Sequence, residues 1–132
     1  MTCRVPVVLA VAVMSFAATA GVARADPAPS ACNYTLSPPH VVQLSGTDVV
    51  TATLSPAGCH EANSQISVAC VQVQGSDGPG KCVQNNGPLT AQVYFAPYRP
   101  GATYVSTGSG CATRGNPPQP SCQTTGPYAA TL

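Results

Sequence analysis

Four groups of residues have types and spacings that invite chemistry. The first, Gly75-Ser76-Asp77-Gly78-Pro79-Gly80-Lys81, reads G-x-x-x-x-G-K, the opening of a phosphate-binding loop, and follows the strand-like run 65–74. Such a loop holds phosphates on backbone N–H groups at the start of a helix, with a Ser or Thr after the lysine to hold magnesium. Here Cys82 follows Lys81, Pro79 removes an N–H donor, and residues 83–88 cannot sustain a helix. The same residues suit a hairpin better. Asp77-Gly78-Pro79-Gly80 supplies the φ > 0 and fixed-φ positions of a turn. Folding back near Ser76 sets Cys70 opposite Cys82, and cross-strand neighbours about 4.5–5.5 Å apart are close to the reach of a disulfide.

The second group is Cys59-His60-Glu61. Three adjacent residues are poor geometry for three ligands on one ion, and the chain has no C-x-x-C pair. A Cys59/His60 nucleophile would leave an odd cysteine in an oxidising compartment. The cysteines have a simpler use. Beyond position 25 the chain keeps Cys32, Cys59, Cys70, Cys82, Cys111 and Cys122. An even count in an exported chain reads as three disulfides. Of the fifteen pairings that six cysteines allow, Cys70–Cys82 is the one the turn specifies; the other two stay open.

The third group is Tyr94, Phe95, Tyr98, Arg99 and Tyr104. Tyrosine and arginine are favoured where binding energy concentrates, while Phe95 and Tyr104 also suit a core. Tyr94, Tyr98 and Arg99 are therefore candidates for a binding surface. The fourth is CATRGNPPQPSC, residues 111–122, short, polar, proline-rich and flanked by cysteines, with Arg114 near its middle. Enzyme signals are weaker. There is no G-x-S-x-G, no metal triad and no paired carboxylates at useful spacing. No catalytic residue, cofactor or metal is expected.

These groups must be positioned by a chain whose export is legible first. Arg4 precedes the apolar run 5–22, which ends in Ala23-Arg24-Ala25, a small-x-small cleavage site. This is the anatomy of a secretory signal peptide over 1–25. The run is nearly long enough to span a bilayer, but its early position and the cleavage site favour removal. Neither Cys3 nor Cys32 sits in a lipoprotein cleavage box. The expected product is secreted or held at the cell envelope, with no stable membrane insertion once the signal is gone. Residues 26–31 read as a loose arm and 32–132 as one domain.

After cleavage three basic side chains remain (Lys81, Arg99, Arg114) against four acidic ones (Asp26, Asp48, Glu61, Asp77). Three scattered cations cannot neutralise a run of phosphates, which argues against nucleic acid as a partner. Val, Leu, Ile and Phe make up only 17 of the 107 residues after position 25. That is below the roughly 20% at which a chain looks unable to fold. Since the net charge is near zero, the disulfides are the expected source of the missing stability.

Short β-type runs alternate with turn signals: 33–37, 40–44, 48–54, 65–74, 89–95, 102–107 and 127–132. Val50, Ala52 and Leu54 fall on one face, and Ala91, Val93 and Phe95 on another. Period-2 alternation punctuated by Gly and Pro predicts an all-β sandwich or barrel.

Three resemblances follow from these residues. VVQLSGTDVVTATLSP resembles the first two strands of an immunoglobulin-like domain, and RPGATYVSTGSGC the start of its sixth. That likeness implies a single immunoglobulin-like β-sandwich with Tyr104 as its "tyrosine corner", lacking the usual tryptophan. The alanine-rich leader followed by DPAP resembles the small exported proteins of mycobacteria and related actinobacteria. That likeness carries no known activity. Thr113-Arg114-Gly115-Asn116-Pro117-Pro118-Gln119 is similar to the protease-binding loop of Bowman–Birk inhibitors, which implies Arg114 as the specificity residue, with Gly115 where that family has Ser. The combined expectation is a secreted, non-catalytic interaction module for an unknown protein or envelope component. The alternative is a serine-protease inhibitor presenting the loop 111–122.

Overall fold

A computed structural model describes residues 31–132; the expected signal peptide and residues 26–30 of the arm lie outside the described residues. The regular elements among the described residues are eight strands: β1 (Cys32–Leu36), β2 (His40–Leu44), β3 (Thr47–Cys59), β4 (Ala62–Val73), β5 (Lys81–Asn86), β6 (Ala91–Phe95), β7 (Thr103–Arg114) and β8 (Gln119–Thr131). They form two packed antiparallel sheets. The expected all-β class and Cys70–Cys82 bridge hold.

In the first sheet the long β3 is the spine. β1 pairs with its C-terminal half and β2 with its N-terminal half, along the same edge. Their registers continue one another, from Cys32↔Cys59 through Leu36↔Leu54 to Leu44↔Thr47. β1 and β2 are thus one strand interrupted at Pro38 and Pro39, because proline cannot donate to the ladder. The turn between β2 and β3 has Ser45 and Gly46 both at positive φ, 53° and 79°. A two-residue hairpin needs that geometry to match the strand twist. β6 covers the other edge of β3. The second sheet runs β5-β4-β7-β8.

The core is built unequally. Val50, Ala52, Leu54, Ala91 and Val93 come from β3 and β6, and Tyr34 and Leu36 from β1, all buried. The second sheet answers with smaller groups: Ser67, Ala69, Val71, Ser106 and Ala112, with Tyr104 as its one large side chain. Gly108 and Gly110 leave the room that Leu54 and Tyr34 fill. A Cβ at Gly108 would lie 2.7 Å from Leu54 Cδ1, and one at Gly110 2.3 Å from Tyr34 Cδ1.

Three disulfides join registered neighbours: Cys32–Cys59 links β1 to β3, Cys70–Cys82 links β4 to β5, and Cys111–Cys122 links β7 to β8. Each lies within a sheet, so none ties one sheet to the other. Polar bridges do that instead. Tyr34 Oη donates to the Cys111 carbonyl at 2.7 Å, and Ser106 Oγ donates to the Ser37 carbonyl at 3.0 Å. Three disulfides in a small domain fit an oxidising, extracellular environment. No helix among the described residues is long and apolar enough to cross a membrane.

Candidate functional site

Segment 111–122 is not a loop. β7 runs to Arg114 and β8 begins at Gln119, so only 115–118 form the turn. Cys111↔Cys122, Ala112↔Ser121, Thr113↔Pro120 and Arg114↔Gln119 are paired across the hairpin. The disulfide is one rung of this ladder, two pairs below Thr113↔Pro120. Residues 114–120 are all exposed. Gly115, at φ +84°, makes the bend that a residue with a Cβ would resist. Arg114 is thus held at the rim of a short, closed, exposed tip at one end of the sheet.

The turn between β3 and β4 lies at the same end. Ala62 pairs with Arg114, which brings His60 and Glu61 beside the tip of the hairpin. Both are exposed, and Glu61 has φ 53°, which is uncommon for a residue with a side chain. All six described cysteines are in disulfides, so Cys59 offers neither a thiolate ligand nor a nucleophile. His40 is elsewhere, on β2, with Nδ1 3.1 Å from the Pro38 carbonyl.

Tyr98 and Arg99 lie at the opposite end, in the connection between β6 and β7. The twelve residues of β7 at about 3.3 Å each separate the two ends. The structure therefore does not unite Arg99 with Arg114 in one surface. Tyr98 is half-buried against Tyr104, with ring centroids 6.5 Å apart, and Phe95 meets the same ring edge-on at 5.9 Å. Tyr104 is fully buried and its Oη accepts the Arg99 backbone N–H at 2.8 Å. The phenol thus ties strand to turn. Tyr94 belongs to neither end. It faces outward from β6, opposite Thr51 on β3.

No family model, curated protein or solved structure matches this chain. The functional reading therefore rests on geometry. Two features of that geometry were not singled out in the sequence. Tyr34 on β1 spans the sheets through Ser64 and Cys111. Gln123 on β8 caps the outer edge of β1, its Oε1 accepting the Tyr34 N–H at 3.1 Å. The signal for Tyr34 was its place in the alternation of Cys32, Tyr34 and Leu36. Gln123 carried no signal, because a capping amide looks like any polar strand residue.

Proposed function

We propose that this chain is an exported, non-catalytic interaction module on an immunoglobulin-like sandwich, and that it meets its partner through the β7–β8 hairpin tip. The strand order supports the immunoglobulin-like assignment. β1/β2, β3 and β6 correspond to strands A, B and E, facing β5, β4, β7 and β8 as C′, C, F and G. Tyr104 sits where the corner tyrosine of such domains sits.

The observation that carries the binding role is the tip itself. It is wholly exposed, proline-stiffened and clamped by Cys111–Cys122. A loop fixed in advance loses little conformational freedom on binding, so more of its contact energy appears as affinity. The test immobilises the oxidised protein and captures partners from its own envelope fraction. A second variant replaces 115–118 with a two-residue Asn-Gly turn. The proposal requires a saturable partner that this variant loses while keeping the wild-type melting temperature. Equal capture by both proteins refutes the tip as the contact.

A second reading has support from one observation. Arg114 stands exposed beside the turn of a disulfide-closed hairpin, as an inhibitory arginine must. Against it, Gly115 bends the chain directly after Arg114 at positive φ. An inhibition assay with trypsin-like proteases decides. Inhibition abolished by Arg114→Ala supports this reading, and inhibition that survives the substitution removes the Arg114 mechanism.

A further inference from the structure

At the end away from the hairpin tip, a cleft of about 210 Å³ opens between the β4–β5 turn and the β6–β7 connection. Its apolar lining comes from Val73, Pro79, Phe95 and Pro97, and its polar lining includes Ser76 and Arg99. Arg99 is the one charged side chain among the residues that line it, and Asp77 of the neighbouring turn is not among them. Arg99 makes no ion pair with another described residue. Ser76 is already committed, its Oγ donating to the Val73 carbonyl at 3.0 Å.

The cleft is held open by local covalent and hydrogen-bond constraints. The Arg99 backbone is fixed by Tyr104 Oη, and the start of the β4–β5 turn by Gln74 N–H donating to the Thr103 carbonyl at 2.9 Å. Cys70–Cys82 staples the two strands that carry the turn. Gly80 lets those strands close, since a Cβ there would lie 2.7 Å from the Val71 carbonyl.

An apolar hollow with one guanidinium that no other described residue pairs with favours a compact apolar body bearing one carboxylate. Guanidinium and carboxylate match in charge and in planar two-point geometry. Size narrows the class, because a cavity of about 150 Å³ already accepts benzene. We propose that this cleft is a binding site for a small organic carboxylate, a single aromatic ring or short alkyl chain with one acidic group, held by Arg99. The site is independent of the hairpin tip and does not rest on the partner reading above.

The test titrates phenylacetate, and separately its neutral analogue phenylacetamide, into the oxidised protein and follows backbone amide resonances. The expected result is a saturable shift confined to Val73, Ser76, Gly78, Phe95 and Arg99. Loss of the charge-assisted contact weakens binding roughly tenfold or more, so phenylacetamide and the Arg99→Gln variant should each show that loss. Arg99→Lys should recover part of it. Arg99 is exposed, so neither substitution threatens the fold, and an otherwise unchanged spectrum verifies this. Equal affinity for acid and amide, shifts that map elsewhere, or no saturable shift each overturns the proposal.

Discussion

The ring of Tyr34 lies directly against the backbone of Gly110, on the facing sheet, with its hydroxyl bonded to the carbonyl of the next residue, Cys111. The pair joins β1 to β7 by one large ring in a site that only glycine leaves vacant. A Cβ on Gly110 would come within 2.4 Å of three ring atoms, Cγ, Cδ1 and Cε1.

Gly110→Ala should therefore destabilise the domain by about 3 kcal/mol, at the upper end of ordinary overpacking costs. The check is a double-mutant cycle in urea. If the ring is the obstacle, Gly110→Ala in a Tyr34→Ala background should cost far less than in the wild type. Additive effects would mean that the two residues do not share this contact.

The disulfides should differ in weight. Cys32–Cys59 spans 27 residues, against 12 for Cys70–Cys82 and 11 for Cys111–Cys122. Constraint of the unfolded chain grows with the loop closed, giving about 3.5 kcal/mol for the first and about 3 kcal/mol for each of the others. Paired Cys→Ala variants measured by urea denaturation should follow that order. Together the bridges rival the whole stability of a typical domain, about 5–15 kcal/mol. The fully reduced protein should accordingly be unfolded at 37 °C by near-UV circular dichroism. A reduced form that melts as late as the oxidised one would contradict this account.

What could be read beforehand, and what could not, follows from which sheet fills the core. β3 and β6 carry Val50, Leu54 and Val93 inward, so their alternation was plain. The second half of β7 and the first half of β8 were hidden. Their inward positions are Gly108, Gly110 and Ala112, small because Tyr34 and Leu54 reach across to fill the space. A strand that contributes almost no apolar volume has no hydrophobic period to detect, and 111–122 passed for a loop. Cys70–Cys82 was legible because a turn's midpoint fixes its own register. Cys111–Cys122 obeys the same rule, yet its turn could not be centred until both flanks were known to be strands. Only fifteen positions separate Arg99 from Arg114, and β7 fills most of that span end to end, so the two stand at opposite ends of the fold.

Ser67 is a place where the fold carries an unmet cost. It is fully buried on the inward face of β4, and its Oγ has no hydrogen-bond partner among the described residues. An unsatisfied buried hydroxyl costs about 1–3 kcal/mol. Ser67→Ala removes the oxygen and keeps the Cβ, so it should leave stability unchanged or raise it by about 1 kcal/mol. A thermal melt checks the sign. A clear loss of stability would mean that the hydroxyl is satisfied in solution, by a bound water.

Tyr104→Phe separates the two roles of the Tyr104 side chain. Its ring is wholly buried between Phe95 and Tyr98, and the phenylalanine ring keeps those contacts. What disappears is the acceptor for the part-buried Arg99 N–H. An N–H left without its partner costs about 1–2 kcal/mol, so the melting temperature should fall while the urea m-value, set by exposed area, stays the same. The loss should also be local. Hydrogen exchange at the Arg99 amide should accelerate well beyond any change at Val50 or Val71 in the core, because only the turn has lost its tether. If the cleft binds a carboxylate through Arg99, whose backbone this bond holds, the variant should also bind phenylacetate more weakly, though less so than Arg99→Gln. An Arg99 amide as protected in the variant as in the wild type would show that the turn is held by something other than the phenol.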